Sequence, residues 1–246
     1  MSPSRCLCAC FVLTLSATEP ILHIPPAATS VEIGRQPISL SASGTVWAGQ
    51  KPDSYVLSVS VELSDLQVHA LDVLRAQLDR SEPCGERINT LSASLVPASP
   101  KAILTARMHV ERFACAKVLG KNVTKRLAAG DGTVSVELMP VLDGGAARLR
   151  ADVREIQADG TLGELLRAGS WGDALKEKIR ASVRSALDKA TEFRATLPAV
   201  LRELVQLRSL AFAGTDEGRL SLKVDADAVI SSVQLLQLRS ETAGRR

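Results

Sequence analysis

Apolar residues fall on alternate positions through several separate stretches of this chain. Leu57, Val59, Val61 and Leu63 alternate with Ser58, Ser60 and Glu62, and a period of two marks a strand with one buried face. The same pattern recurs in Leu104, Ala106, Met108 and Val110, in Val134, Val136 and Leu138, and in Leu149, Ala151 and Val153. It returns in Leu220, Leu222, Val224, Ala226, Ala228 and Ile230, and "VQLLQL" at 233–238 extends it. Asp-Gly pairs stand in "GDGT" (130–133), "LDGG" (142–145) and "ADGT" (158–161). Glycine tolerates positive φ, so these pairs predict tight hairpin turns and an antiparallel meander. Residues 18–55 are rich in Pro, Ser, Thr and Gly; they read as an extended lead-in with one or two edge strands, for example over 38–42.

A longer period governs three other stretches. Leu66, Ala70, Val73, Leu74 and Leu78 predict a helix over 65–79, with Ser64 and Gln67 at capping-box spacing. In residues 171–193, at about 100° per residue, Leu175, Ile179, Val183, Ala186, Leu187, Ala190 and Phe193 fall within about 120°. That is a long amphipathic helix. A second, shorter helix is predicted from Pro198 to about Leu207.

Composition narrows the class. The chain has 246 residues, of which 46% are apolar and only 3% aromatic. It is therefore globular, with an aliphatic interior, and poorly suited to the aromatic stacking that single-strand nucleic-acid binding uses. The net charge of +3 is spread along the chain among acids, so no nucleic-acid-binding arm is present. The opening "MSPSRCLCACFVLTLSATEP" carries one arginine, an apolar run and small residues at Ser16 and Ala17. It reads as a secretory signal over 1–17, which places the mature chain in the periplasm or outside the cell. Lipid anchoring at Cys10 of "LCAC" is the alternative. Export leaves Cys84 and Cys115 as the two mature cysteines, and an oxidising compartment favours one disulfide between them.

Chemistry-bearing motifs are scarce. His23, His69 and His109 are far apart, and none of the hydrolase, metalloprotease, P-loop or dinucleotide signatures occurs. Asp225 and Asp227 share a strand face and read as solvated. "KVLGKNVTKR" (117–126) holds Lys117, Lys121, Lys125 and Arg126, either an ordinary solvated loop or a basic tip for anionic headgroups. The "NVT" triplet at 122–124 has the form of a glycosylation sequon and is given no weight. No catalytic residue, metal or cofactor is expected.

The phrase "LSVSVELSDLQVHALDVL", a strand running into a capped helix, resembles the opening of bacterial envelope domains in the tubular lipid-binding superfamily. That is the group of bactericidal/permeability-increasing protein. "TVSVEL", the 171–193 stretch and "RLSLKVDADAV" fit the same order, so the resemblance spans roughly residues 56–238. It implies an α+β fold: one curved antiparallel β-sheet wrapped around one long amphipathic helix, with a shorter helix near the start. It further implies an apolar groove for acyl chains, lined by Leu175, Ile179, Val183 and Leu187, with residues 239–246 as a tail. The superfamily has no invariant motif, so no functional residue carries across. The expected function is non-enzymatic binding of a lipid or similar apolar molecule, with contact to a membrane surface in view. The alternatives are an envelope scaffold without a ligand cavity and a hydrolase whose site the sequence hides.

Overall fold

The structure is a computed structural model and describes residues 19–33, 35–118, 121–143, 146–167 and 205–231, together with Asp173, Glu177 and Ala181. Strands dominate it. Sheet A joins β1 (Leu22–Ile33), β2 (Gln36–Ala48), β3 (Ser54–Glu62), β10 (Leu220–Val229) and β9 (Val205–Gly214), in that spatial order. Sheet B runs in sequence order through β4 (Arg80–Ser81), β5 (Glu86–Ala98), β6 (Lys101–Val118), β7 (Lys121–Asp143) and β8 (Ala146–Ala158). Every pairing is antiparallel. Among the described residues the strands are accompanied by the short helices α1 (Ser64–Val68), α2 (Ala70–Leu78) and α3 (Gly160–Arg167), and Asp173, Glu177 and Ala181 are helical as well.

This corrects the expected α+β fold. In place of one curved sheet around a long helix there are two five-stranded sheets, and no long amphipathic helix exists among the described residues. The stretch 171–193 lies outside them apart from Asp173, Glu177 and Ala181, which are exposed. The inner face of sheet B carries Ala102, Leu104, Met108, Val134, Val136, Leu138 and Val153, packed with Ala70 of α2 and with Phe212 and Leu220 of sheet A. Each such aliphatic side chain contributes about 1.5–3 kcal/mol when fully withdrawn from water.

The helix expected over 65–79 is broken at His69, whose backbone (φ −93°, ψ 8°) ends α1 and begins α2. Ser64 and Gln67 do not form a capping box. The Ser64 hydroxyl donates to Glu62 Oε1 at 3.0 Å. Gln67 spans the two sheets instead: its Nε2 donates to the Leu95 carbonyl (2.9 Å) and the Gly218 carbonyl (3.2 Å), and its Oε1 accepts the Leu220 amide (2.7 Å). Tertiary partners on two sheets outcompete the local cap. Helix α2 is seated by Asp79 Oδ1, which accepts both the amide and the hydroxyl of the fully buried Thr90 at 2.7 Å each.

Two further expectations change. "GDGT" (130–133) is no turn but the interior of the 23-residue β7, where Gly130 and Gly132 pair with Val110 and Met108. Glycine serves close approach at this point: a Cβ on Gly130 would lie 2.3 Å from the Asp159 carbonyl oxygen and 3.0 Å from Leu162 Cβ. The turn into α3 presses on that spot. "ADGT" does make a turn, with Gly160 at φ +60° opening α3. The predicted helix at 198–207 is also corrected, since Val205–Leu207 already belong to strand β9, while 198–204 lie outside the described residues.

Candidate functional site

In an antiparallel sheet, residues directly opposite one another share a face. The register of sheet A therefore builds two contrasting surfaces. On one, the rung Leu22–Val46–Leu57–Ala226–Leu207 crosses all five strands. Beside it run Ile24–Gly44–Val59–Val224–Leu210 and, over four strands, Ala48–Tyr55–Ala228–Val205. No charged residue interrupts these rungs. A β-bulge between Asp225 and Ala226 keeps β9 in phase, so that Leu207 and Leu210, three apart, both point to this face.

The upper end of this face is covered. Ile38 and Leu40 are buried, and Phe212, Leu220 and Leu222 join the core against sheet B. The three rungs below are different. Val46, Leu57, Val59, Val224, Leu207 and Leu210 are each partly exposed and Leu22 and Ile24 are exposed, while Ala226 and Ala228 on β10 are buried. With strands about 4.8 Å apart and like-facing residues about 6.8 Å apart, the rungs cover roughly 19 Å by 14 Å. Gly44, on β2, lacks a side chain there, and Ile24 Cδ1 and a Val59 methyl lie 3.5 and 3.4 Å from where its Cβ would stand.

The opposite face of sheet A is hydroxyl-rich. Ser58 and Ser209 donate to the two carboxylate oxygens of Asp225 at 2.8 and 2.7 Å. The Ser209 hydrogen bond, then that of Ser58, hold Asp225 below the usual aspartate range. Asp227 pairs with Arg208 at 3.3 Å. Both hydroxyls are committed to a carboxylate, with no histidine bonded to either, so the cluster is no nucleophile–base pair.

Sheet B turns a ladder of paired charges outward. Glu137 lies between Lys101 and Arg154, Asp131 between His109 and Arg107, and Glu111 between Arg126 and Arg87. The Lys101 hydrogen bond keeps Glu137 ionised below its ordinary range; that of His109 does so for Asp131 and that of Arg126 for Glu111. His69 stands 3.5 Å from Asp65 and 3.6 Å from Asp72 at the helix break. Among the described residues no group of three or more His, Cys, Asp and Glu side chains is placed to hold a metal ion.

The residues singled out by sequence reading are scattered. Cys84 and Cys115 form a disulfide, with Cα atoms 5.4 Å apart, tying the segment before β5 to β6. In the basic stretch 117–126 the described residues belong to the paired ends of β6 and β7, where Lys117 and Lys125 are exposed and Arg126 is engaged with Glu111. Leu175, Ile179, Val183 and Leu187, the expected groove lining, lie outside the described residues, as do the leader 1–17 and Cys10. The apolar face of sheet A was not anticipated as a site. Its signal is present in the alternation of 57–63 and 220–230, but the rungs are visible only once β1, β2 and β9 are laid beside them.

No helix among the described residues is long and apolar enough to cross a membrane. No protein-family model matches the chain, and no curated protein matches it. Among solved structures it is similar to a crystal structure of a lipopolysaccharide binding protein, at 13% identity and a TM-score of 0.40. The match covers 76% of this chain and 44% of the other, so the chain spans less than half of that protein's length.

Proposed function

We propose that this is an exported, non-catalytic protein that holds a lipid or similar apolar ligand against the lower rungs of sheet A. One observation carries the reading: a five-strand apolar surface, free of charge, whose larger side chains are only partly buried around the buried Ala226 and Ala228. Burial of such a surface is non-directional and scales with area, which suits an acyl chain better than a polar substrate. Aliphatic lining with few polar groups gives a ligand little to orient a reaction. The Cys84–Cys115 disulfide supports passage through an oxidising compartment, as does the apolar leader.

Native mass spectrometry of protein purified without detergent tests this. A co-purified apolar adduct is expected in the wild type and is lost on Leu207→Asp or Ile24→Asp, a partly exposed and an exposed position that bracket the face. An adduct-free wild type that also fails to take up fatty acid or phospholipid would overturn the proposal. It would leave the scaffold reading, in which the face packs without a ligand.

A further inference from the structure

The apolar rungs of sheet A carry one hydrogen-bonding side chain. In the lowest, Ala48–Tyr55–Ala228–Val205, Tyr55 of β3 is two residues from Leu57 and four from Val59, and it shares their face. It is half-buried. Every other position in the three rungs is Gly, Ala, Val, Leu or Ile. The polar groups of the adjoining β2–β3 turn are engaged with one another. The Ser54 hydroxyl donates to the Lys51 carbonyl (2.6 Å) and accepts the Lys51 amide (3.0 Å). The Gly49 amide donates to the Ser54 carbonyl and the Ile230 amide to the Asp53 carbonyl. Among the described residues none is bonded to the Tyr55 hydroxyl, which solvent serves while the rung is uncovered.

We propose that Tyr55 selects the ligand by its head: the occupant is a lipid with an oxygen acceptor at the end of its chain, as in a fatty-acid carboxylate, and the phenol donates to that oxygen. The inference rests on the ligand reading and refines it. A plain hydrocarbon laid over the lowest rung would bury the phenol without a partner, and leaving a site's polar group unpaired disfavours such a ligand by about tenfold or more. A chain ending in a carboxylate pairs with the phenol instead, in a hydrogen bond that the charge strengthens. Position sets the orientation. The Tyr55 rung is the one nearest the β2–β3 turn, where Gln50, Lys51, Pro52 and Asp53 are exposed, so the head lies at the solvated end. The tail then runs along β3 past Leu57 to Val59 and stops where Leu222 and Phe212 join the core against sheet B. Four residues of strand span about 14 Å. A zigzag of carbon–carbon bonds of about 1.5 Å, at an angle near 111°, advances about 1.25 Å per bond, so about twelve carbons cover that distance.

Two probes separate head from tail. Diphenylhexatriene is a hydrocarbon that fluoresces on entering an apolar site, and dodecanoate is titrated in to displace it. The full-length wild type, in detergent-free buffer, is expected to bind both. Tyr55→Phe keeps the ring and removes the hydroxyl. It should bind diphenylhexatriene at least as well as wild type, which also shows that it is folded, while its affinity for dodecanoate falls about tenfold. Lys51→Gln, in the neighbouring turn, should change dodecanoate binding by less than about twofold, since an exposed charge contributes little. Equal dodecanoate affinity in wild type and Tyr55→Phe overturns the proposal and leaves the ligand reading standing. An equal loss of both probes in Tyr55→Phe, or a loss of dodecanoate confined to Lys51→Gln, overturns it as well. A wild type that takes up neither probe overturns the ligand reading, and this proposal with it.

Discussion

Replacing Gln67 with Ala should loosen the attachment between the two sheets. The side chain makes three hydrogen bonds from α1: to the Leu95 carbonyl on β5, to the Gly218 carbonyl before β10, and from the Leu220 amide. Leu220 is 1% exposed, so water cannot readily replace Gln67 Oε1 as acceptor. A buried amide left without a partner costs about 1–3 kcal/mol, and the two carbonyls add less because each keeps a second lone pair for other donors. The expected loss is therefore about 2–4 kcal/mol in urea unfolding. Gln67→Glu sharpens the test. Its carboxylate still accepts from Leu220 but faces two carbonyl oxygens, so the folded state favours the protonated form and raises the pKa of that glutamate. A group with a raised folded pKa stabilises below its unfolded value and loses that contribution as pH rises. The Glu variant should thus be closer to wild type at pH 4 than at pH 7. A loss below about 0.5 kcal/mol for the Ala variant, with no pH dependence for Glu, would show that the sheets do not depend on this residue.

Gly130→Ala should cost about 1–3 kcal/mol by overpacking, as its Cβ would sit 2.3 Å from the Asp159 carbonyl oxygen. Gly132→Ala, with its nearest contact at 3.3 Å, should cost clearly less, and thermal midpoints that rank the two the other way would refute the close-approach argument. Reduction of Cys84–Cys115, 31 residues apart, should lower stability by about 3–4 kcal/mol on the loop-entropy model, measured by urea unfolding with and without reductant. Glu137, Asp131 and Glu111 have folded pKa values below their ordinary 4.5, 3.8 and 4.5. Depressed carboxylates stabilise above the unfolded pKa and lose that contribution as pH falls through the folded one. Stability should therefore decline below about pH 4.5, and Glu137→Gln should flatten the decline; an unchanged acid limb would contradict the pairing.

Strand positions were legible because a period of two is a local property. Residues 57–62, 104–110 and 220–229 alternate, and β3, β6 and β10 contain them. What those strands pair with was not legible. "GDGT" has the composition of a turn, yet the hydrogen-bonding partners on β6 and β8 extend β7 through it, and its glycines admit α3 from the side. Residues 205–207 carry apolar spacing that serves a helix equally well; β10 offers a full ladder and makes them a strand. His69 interrupts a stretch with sound helical periodicity, and Gln67, placed by spacing as a cap, is drawn to two sheets. The candidate site is a property of register across five strands. Leu22, Val46, Leu57, Ala226 and Leu207 are dispersed through the chain and become one surface only in sheet A.

The central claim is that an apolar ligand lies on that surface. A fatty acid carrying a photoactivated diazirine on its chain, crosslinked to the full-length protein and mapped by peptide mass spectrometry, tests it most directly. Labels are predicted on the apolar rungs of sheet A, at Leu57 and Val59 of β3, Val224 of β10 and Leu207 or Leu210 of β9. Excess unlabelled fatty acid should suppress them. Labels confined to the hydroxyl-rich face around Ser58 and Ser209, or to the charged face of sheet B, would contradict the account, as would labelling that competitor leaves unchanged.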